Sequence, residues 1–121
     1  MEEAFFLGFD SSTQSLSASV IDAATLRLVH RESLNFDADL PHHGTKNGMH
    51  RSGEDEAQVT SPVTMWIEAL DTVLSRLSHA VPLSKVVAVS GSGQQHGTVY
   101  CGESFEEALR LLDPSVPMAE Q

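Results

Sequence analysis

The chain has 121 residues, 40% of them hydrophobic and 20% charged, which suits one ordinary soluble domain. Seven Lys and Arg stand against 17 Asp and Glu, a formal charge of −10, and such an acidic chain repels nucleic acid and anionic membrane, so neither is expected as a partner. A single cysteine, Cys101, excludes an internal disulfide and fits a reducing compartment. The opening Met-Glu-Glu carries no basic region and no apolar run reaches transmembrane length, so the expected location is the cytoplasm.

Residues 4–9, Ala-Phe-Phe-Leu-Gly-Phe, have the composition of a buried strand. Asp10 to Ser15 follow as a polar turn rich in small hydroxyl residues. Leu16, Ala18 and Val20 then alternate with Ser17 and Ser19, which predicts a second strand over 16–21. Asp22-Ala23-Ala24-Thr25 turns the chain, and Leu26 to Leu34 reads as a third strand. Three strands with short connections make an antiparallel meander. Its first tip has two readings. An Asp at a strand end followed by hydroxyls can hold a Mg²⁺-bound phosphate, the carboxylate orienting the metal's waters while N–H and hydroxyl groups bind oxygens. Asp and Ser are also common in plain hairpin turns.

Residues 35–60 show no period. Asp37, Asp39, Pro41, Gly44, Gly48 and Gly53 are breakers and charges, so a long loop is expected. His42, His43 and His50 lie in it, but their spacing matches no zinc pattern and no cysteine partners them. The run Glu54-Asp55-Glu56 reads as solvated surface. Residues 62–79 then give the clearest helix. Val63, Trp66, Ile67, Leu70, Val73, Leu74 and Leu77 recur at three- and four-residue steps, and Trp66, Leu70 and Leu77 are expected to be buried against the sheet. Thr60 or Ser61 can cap this helix, Pro62 suits its first turn, and Val81-Pro82 stops it.

The apolar run Val86–Val89 predicts a fourth, buried strand, and Thr98 to Cys101 read as strand again. Between them lies Ser90-Gly91-Ser92-Gly93-Gln94-Gln95-His96-Gly97. Glycines let backbone approach a ligand closely, and the glutamines and histidine offer neutral donors and acceptors suited to a polyol. The same residues also suit a turn whose polar groups satisfy local backbone. The spacing is not that of a dinucleotide fingerprint. Residues 105–112 read as a short helix ended by Asp113-Pro114.

Taken in order, the two polar loops resemble those of the FGGY carbohydrate kinases. Asp10, Ser11, Ser12, Thr13, Gln14 and Ser15 match the family's first phosphate loop, and Ser92 to Gly97 match its sugar loop. The nearest likeness within the family is to the eukaryotic type of xylulose kinase, carried by Gly8–Gln14, Asp37–Pro41, Thr60–Val63 with Met65-Trp66, and Gly93–Gly97 with Val99-Tyr100. The resemblance implies an α/β, ribonuclease-H-like core of the actin, Hsp70 and sugar-kinase superfamily: an antiparallel three-strand meander, a helix and a parallel strand. It implies that the chain is the amino-terminal part of a first kinase domain, with the second domain absent. ATP and Mg²⁺ are the implied cofactors and a small sugar the substrate, with transfer of phosphate to D-xylulose in the full-length enzyme. Asp10 would contact the metal and, with Ser12 and Thr13, the nucleotide phosphates. His96 and Gln95 would bind the sugar. The catalytic base would lie beyond Gln121, so the chain alone would be inactive. Ribulose, gluconate or glycerol as the substrate, or a non-catalytic binding module, are the alternatives. Two departures stand out. Ser17 occupies a position where the family often has a basic residue, and Cys101 one where an aromatic is usual.

Overall fold

The computed structural model describes residues 2–51, 53–54 and 57–121, so Asp55 and Glu56 of the acidic run lie outside it. Strands β1 (Phe5–Ser11), β2 (Ser15–Asp22) and β3 (Leu28–Asn35) form the expected meander. Asp22 holds the β2–β3 turn by accepting from the amides of Ala24 and Thr25 and from the Thr25 hydroxyl. Strand β6 (Val86–Gly93) adds to the free side of β1, giving the order β3-β2-β1-β6. β1 is antiparallel to β2 and parallel to β6.

One face of this sheet is covered by helix α2 (Val63–Ala80), which lies across β2 and β3. Leu7, Leu16, Ala18, Val20 and Leu34 face it and are buried. The period-2 alternation of β2 thus becomes an apolar side against the helix and a serine side in the open. The helix meets the sheet along Met65, Ala69, Val73 and Leu77, all fully buried. This four-residue row differs from the expected one. Leu77 is buried as predicted, but Trp66 is only partly covered at the flank and Leu70 is 42% exposed. Small Ala69 on the contact row lets the helix approach closely, and the bulkier stripe residues are left on its shoulders. Capping also differs. Pro62 stands at the cap position and no side chain caps the helix; the Ser61 hydroxyl instead donates to the Gly48 carbonyl at 2.8 Å.

The segment 35–60 is more ordered than a plain loop. Helix α1 (Phe36–Asp39) opens it. Asn35 Oδ1 accepts from the Ala38 amide, and Asp39 reaches back to the Asn35 amide. Phe36 and Leu40 are buried, and a 3-10 turn over Pro41–His43 follows. Strands β4 (His50–Arg51) and β5 (Val59–Thr60) pair antiparallel. The segment has no period because single residues anchor it: Phe36, Leu40 and His43 point inward one at a time.

β6 is not the buried strand its composition suggests. It is a sheet edge that α2 does not cover, and Val87 and Val89 are more than 60% exposed. It also extends through Ser90–Gly93, so those residues pair with Gly8–Ser11 rather than turning. Thr98–Cys101 forms no strand, having no partner among the described residues. Helix α3 (Phe105–Arg110) is exposed.

The contact row sets an order of mutational cost. Met65→Ala or Leu77→Ala is expected to lower unfolding free energy by about 2–5 kcal/mol, and Leu70→Ala by no more than about 0.5 kcal/mol. Urea denaturation of the three variants checks this; a Leu70→Ala loss as large as that of Met65→Ala would overturn the assigned helix face.

Candidate functional site

Parallel pairing places the carboxyl ends of β1 and β6 side by side, with Asp10 opposite Ser92 and Ser11 opposite Gly93. The Ser92 hydroxyl donates to Asp10 Oδ1 at 3.0 Å. Asp10 is exposed on the open face of the sheet, where Gly8, Phe9, Ser17, Ser19 and Arg31 share a shallow depression with it. Ser17 therefore leaves its strand without the expected cation, but Arg31, across β3, supplies one in the same depression.

Beyond β6 the chain turns through Gln94–Gly97. The turn is tight, since a Cβ on Gly97 would meet the Gln94 side chain at 2.7 Å. A groove of about 400 Å³ separates this turn from the start of α2 and from β5, with Gln94 and His96 on one side and Thr60, Ser61 and Trp66 on the other. Gln94 and His96 line it and Gln95 does not, and all three side chains are exposed. Asp10 and His96 thus stand at one end of the sheet but line different hollows. A smaller hollow between them touches Ser11, Gly93 and Gln94.

The tip between β1 and β2 is held from two directions. Within it, the Ser12 amide and hydroxyl both donate to the Ser15 carbonyl, at 2.9 and 3.1 Å. From outside, Gly48 presses on its backbone so closely that a Cβ there would lie 1.9 Å from the Thr13 carbonyl oxygen. Gly48 occupies a two-residue turn, Lys46–Met49, with φ 55° at Asn47 and 76° at Gly48. Positive φ at both positions is the type I′ pattern, and Asn-Gly is its favoured sequence. The Asp37 carboxylate organises it, accepting from the Thr45 hydroxyl at 2.7 Å and from the amides of Asn47 and Gly48 at 2.5 and 3.0 Å. The Thr45 hydroxyl and the Gly48 amide, with the Asn47 amide, outweigh the partial burial of Asp37 and hold its carboxyl below the usual carboxylate range. Sequence reading passes over this brace, treating Asp37 and Gly48 as breakers, although the Asn47-Gly48 dipeptide is a turn signal in its own right.

The site therefore offers an exposed carboxylate beside hydroxyls and an arginine, suited to a hard cation with anionic oxygens. Next to it lies a groove with neutral amide and imidazole groups, suited to hydroxyl-rich ligands.

Three antiparallel strands and a parallel fourth, with a helix over one face, match the part of a ribonuclease-H-like fold that the sequence led one to expect. Over 78% of this chain it superposes on a gluconate kinase from Lactobacillus acidophilus with a TM-score of 0.57, at 16% identity and over 16% of that protein's chain. In sequence the likeness is narrower. The chain is 47% identical over 120 residues to xylulose kinase 2 of Arabidopsis thaliana, a stretch that is 98% of this chain and 21% of that protein. It is 46% identical over 112 residues to the xylulose kinase of Saccharomyces cerevisiae, covering 92% of this chain and 18% of that one. The chain thus resembles xylulose kinases along nearly its whole length and spans about a fifth of theirs. No family model matches it.

Two variants test the brace. Gly48→Ala combines a disfavoured φ with a direct clash on Thr13, so a loss of about 1–3 kcal/mol from backbone strain alone is expected in denaturant unfolding. Asp37 is ionised more readily in the folded chain than its ordinary value of 3.8. Its contribution is therefore complete above that value and disappears as pH falls through the lower folded one. The stability gap between the parent chain and Asp37→Asn should accordingly be constant near neutrality and shrink below about pH 4. A gap that widens on acidification would contradict the assignment.

Proposed function

We propose that this chain forms part of the cleft of an FGGY-type carbohydrate kinase that transfers the γ-phosphoryl of ATP to a hydroxyl of D-xylulose. The observation that carries this reading is the parallel pairing of β1 and β6, which sets an anion-and-cation end at Asp10 beside a neutral, hydroxyl-accepting groove at Gln94 and His96. The high identity to named xylulose kinases supports the choice of sugar.

In the proposed reaction the substrate hydroxyl oxygen forms a bond to the γ-phosphorus, the bond to the leaving ADP oxygen breaks, and the hydroxyl proton passes to a base. Positioning and charge neutralisation dominate such chemistry. Asp10 fits a magnesium contact, because it is exposed and its described hydrogen bond is a single one from Ser92 to Oδ1. Mg²⁺ is commonly held by one or two carboxylates together with substrate phosphates. Bound there, it would neutralise developing charge on the phosphates. Thr13 and the amides of the braced tip would cradle phosphate oxygens, with Ser12 shaping the turn through Ser15. Arg31 would add a fixed positive charge on the same face. His96 and Gln94 would hydrogen-bond sugar hydroxyls, with Gln95 at the rim. The oxygens of Asp37, whose turn packs on the tip, are occupied by Thr45, Asn47 and Gly48. A base would have to come from outside these residues. The free, exposed thiol of Cys101 supports a reducing, cytoplasmic setting.

The test is a chimera in which this chain replaces the matching fifth of the yeast xylulose kinase. Xylulose-dependent ATP turnover is expected. His96→Ala should lower kcat/KM for D-xylulose roughly 10- to 100-fold, the loss expected when a bound hydroxyl loses its partner, and leave KM for ATP within about twofold. Asp10→Ala should instead depress kcat and weaken the response to added Mg²⁺. Equal loss of sugar and ATP binding in His96→Ala would refute this division of labour. The 121-residue chain by itself is expected to show no sugar-dependent turnover.

A further inference from the structure

His42, His43 and Glu68 come together outside the strand-exit site. His42 Nε2 lies 2.8 Å from both carboxylate oxygens of Glu68, and His43 Nε2 lies 2.5 Å from Oε2. The two histidines are consecutive in the 3-10 turn that Pro41 opens and Gly44, at φ 67°, closes. Glu68 projects from α2, a separate element. We propose that these three side chains form a binding site for a divalent cation of borderline character, Zn²⁺ by its donor set, that clamps the 41–43 turn to α2.

Three features carry this. First, the potential ligand atoms lie within 4.8 Å of one another. An ion about 2.0–2.2 Å from each needs them within roughly 4.4 Å, a distance small side-chain rotations reach. Second, the site is half built into the core. The His43 side chain is 1% exposed, while those of His42 and Glu68 are 43% and 24% exposed. The His43 ring is thereby fixed, and the solvent side stays open for entry and for a water at a fourth position. The His43 carbonyl also accepts from His50 Nε2 at 2.8 Å, which anchors the turn's backbone. Third, the charges suit a cation. Two neutral imidazoles and one carboxylate leave a bound Zn²⁺ with net charge +1 in a chain of formal charge −10. No linear zinc pattern announces the site because its third ligand comes 25 residues later, from a different element.

The experiment is titration of the purified 121-residue chain with ZnCl₂ against a chromophoric chelator, alongside Co²⁺ substitution read by visible absorption. One equivalent of Zn²⁺ is expected, with the intense d–d bands of four-coordinate Co²⁺. His42→Ala and Glu68→Gln, at solvent-facing ligands, should each weaken binding at least about tenfold. His79→Ala, at the exposed end of α2, should not. Zn²⁺ should also raise the Tm of the parent chain and not that of His42→Ala. No stoichiometric binding, or binding equal in the parent, His42→Ala and Glu68→Gln, would overturn the proposal. None of these readouts depends on kinase activity.

Discussion

Backbone hydrogen bonding along both edges of β1 is the constraint from which the rest follows. One edge is taken by β2 running the opposite way, so the chain must reverse immediately after Ser11 and form a tip. The other edge is taken by β6 running the same way, so the residues after Gly93 emerge beside that tip. A parallel neighbour requires a long crossover, and α2 is that crossover. Its apolar row is in turn what buries the Leu16, Ala18, Val20 and Leu34 face. Pairing thus determines at once where the two polar loops meet and which side of the sheet has a core.

The tip itself could not be held by pairing alone. Beyond Ser11 the two strands have no ladder, and a hairpin end of small hydroxyl residues has little side chain to bury. The structure supplies rigidity from elsewhere. Asp37 gathers three donors, the gathered turn carries Gly48 onto the Thr13 carbonyl, and Ser61, just before α2, holds the Gly48 carbonyl. The Gln14 carbonyl also accepts from the Phe36 amide at the start of α1. For the proposed phosphate contact, a tip fixed beforehand is an advantage, because ordering it on binding would cost affinity.

Much of this was legible in the residues. Alternation in β2 gave both the strand and its buried side, and the long apolar periodicity gave α2 with ends correct to a residue. The fourth strand was visible as an apolar run, but its burial was not. Within these 121 residues α2 lies over β2 and β3 and leaves β6 uncovered. The exact face of α2 was blurred for a related reason. Periodicity finds a broad stripe, and the choice of Met65 and Ala69 over Leu70 depends on where the sheet touches it. The brace and the His42–His43–Glu68 cluster were harder still. Each joins residues far apart in sequence, and neither Asp37 nor Glu68 has a local pattern that names its partner.

The acidic character of the chain bears directly on the proposed phosphate end. A charge of −10 would repel a polyanion if it were spread evenly, so the local arrangement decides. Asp10 and Asp37 bring carboxylates to the strand end and to the turn that packs on the tip. Asp37 is surrounded by three donors, which disperse its charge into the turn that supports the tip rather than toward solvent. Asp10 faces the open depression, and there Arg31 shares the hollow while Ser17 and Ser19 leave it uncrowded. Lys46 adds a positive charge in the turn that packs on the tip. One exposed carboxylate among such groups favours a phosphate accompanied by its own cation over a bare anion. The placement of Arg31 two strands away from Asp10 keeps the two charges in one hollow without neutralising each other through a direct ion pair, since the ion pairs among the described residues do not include either side chain.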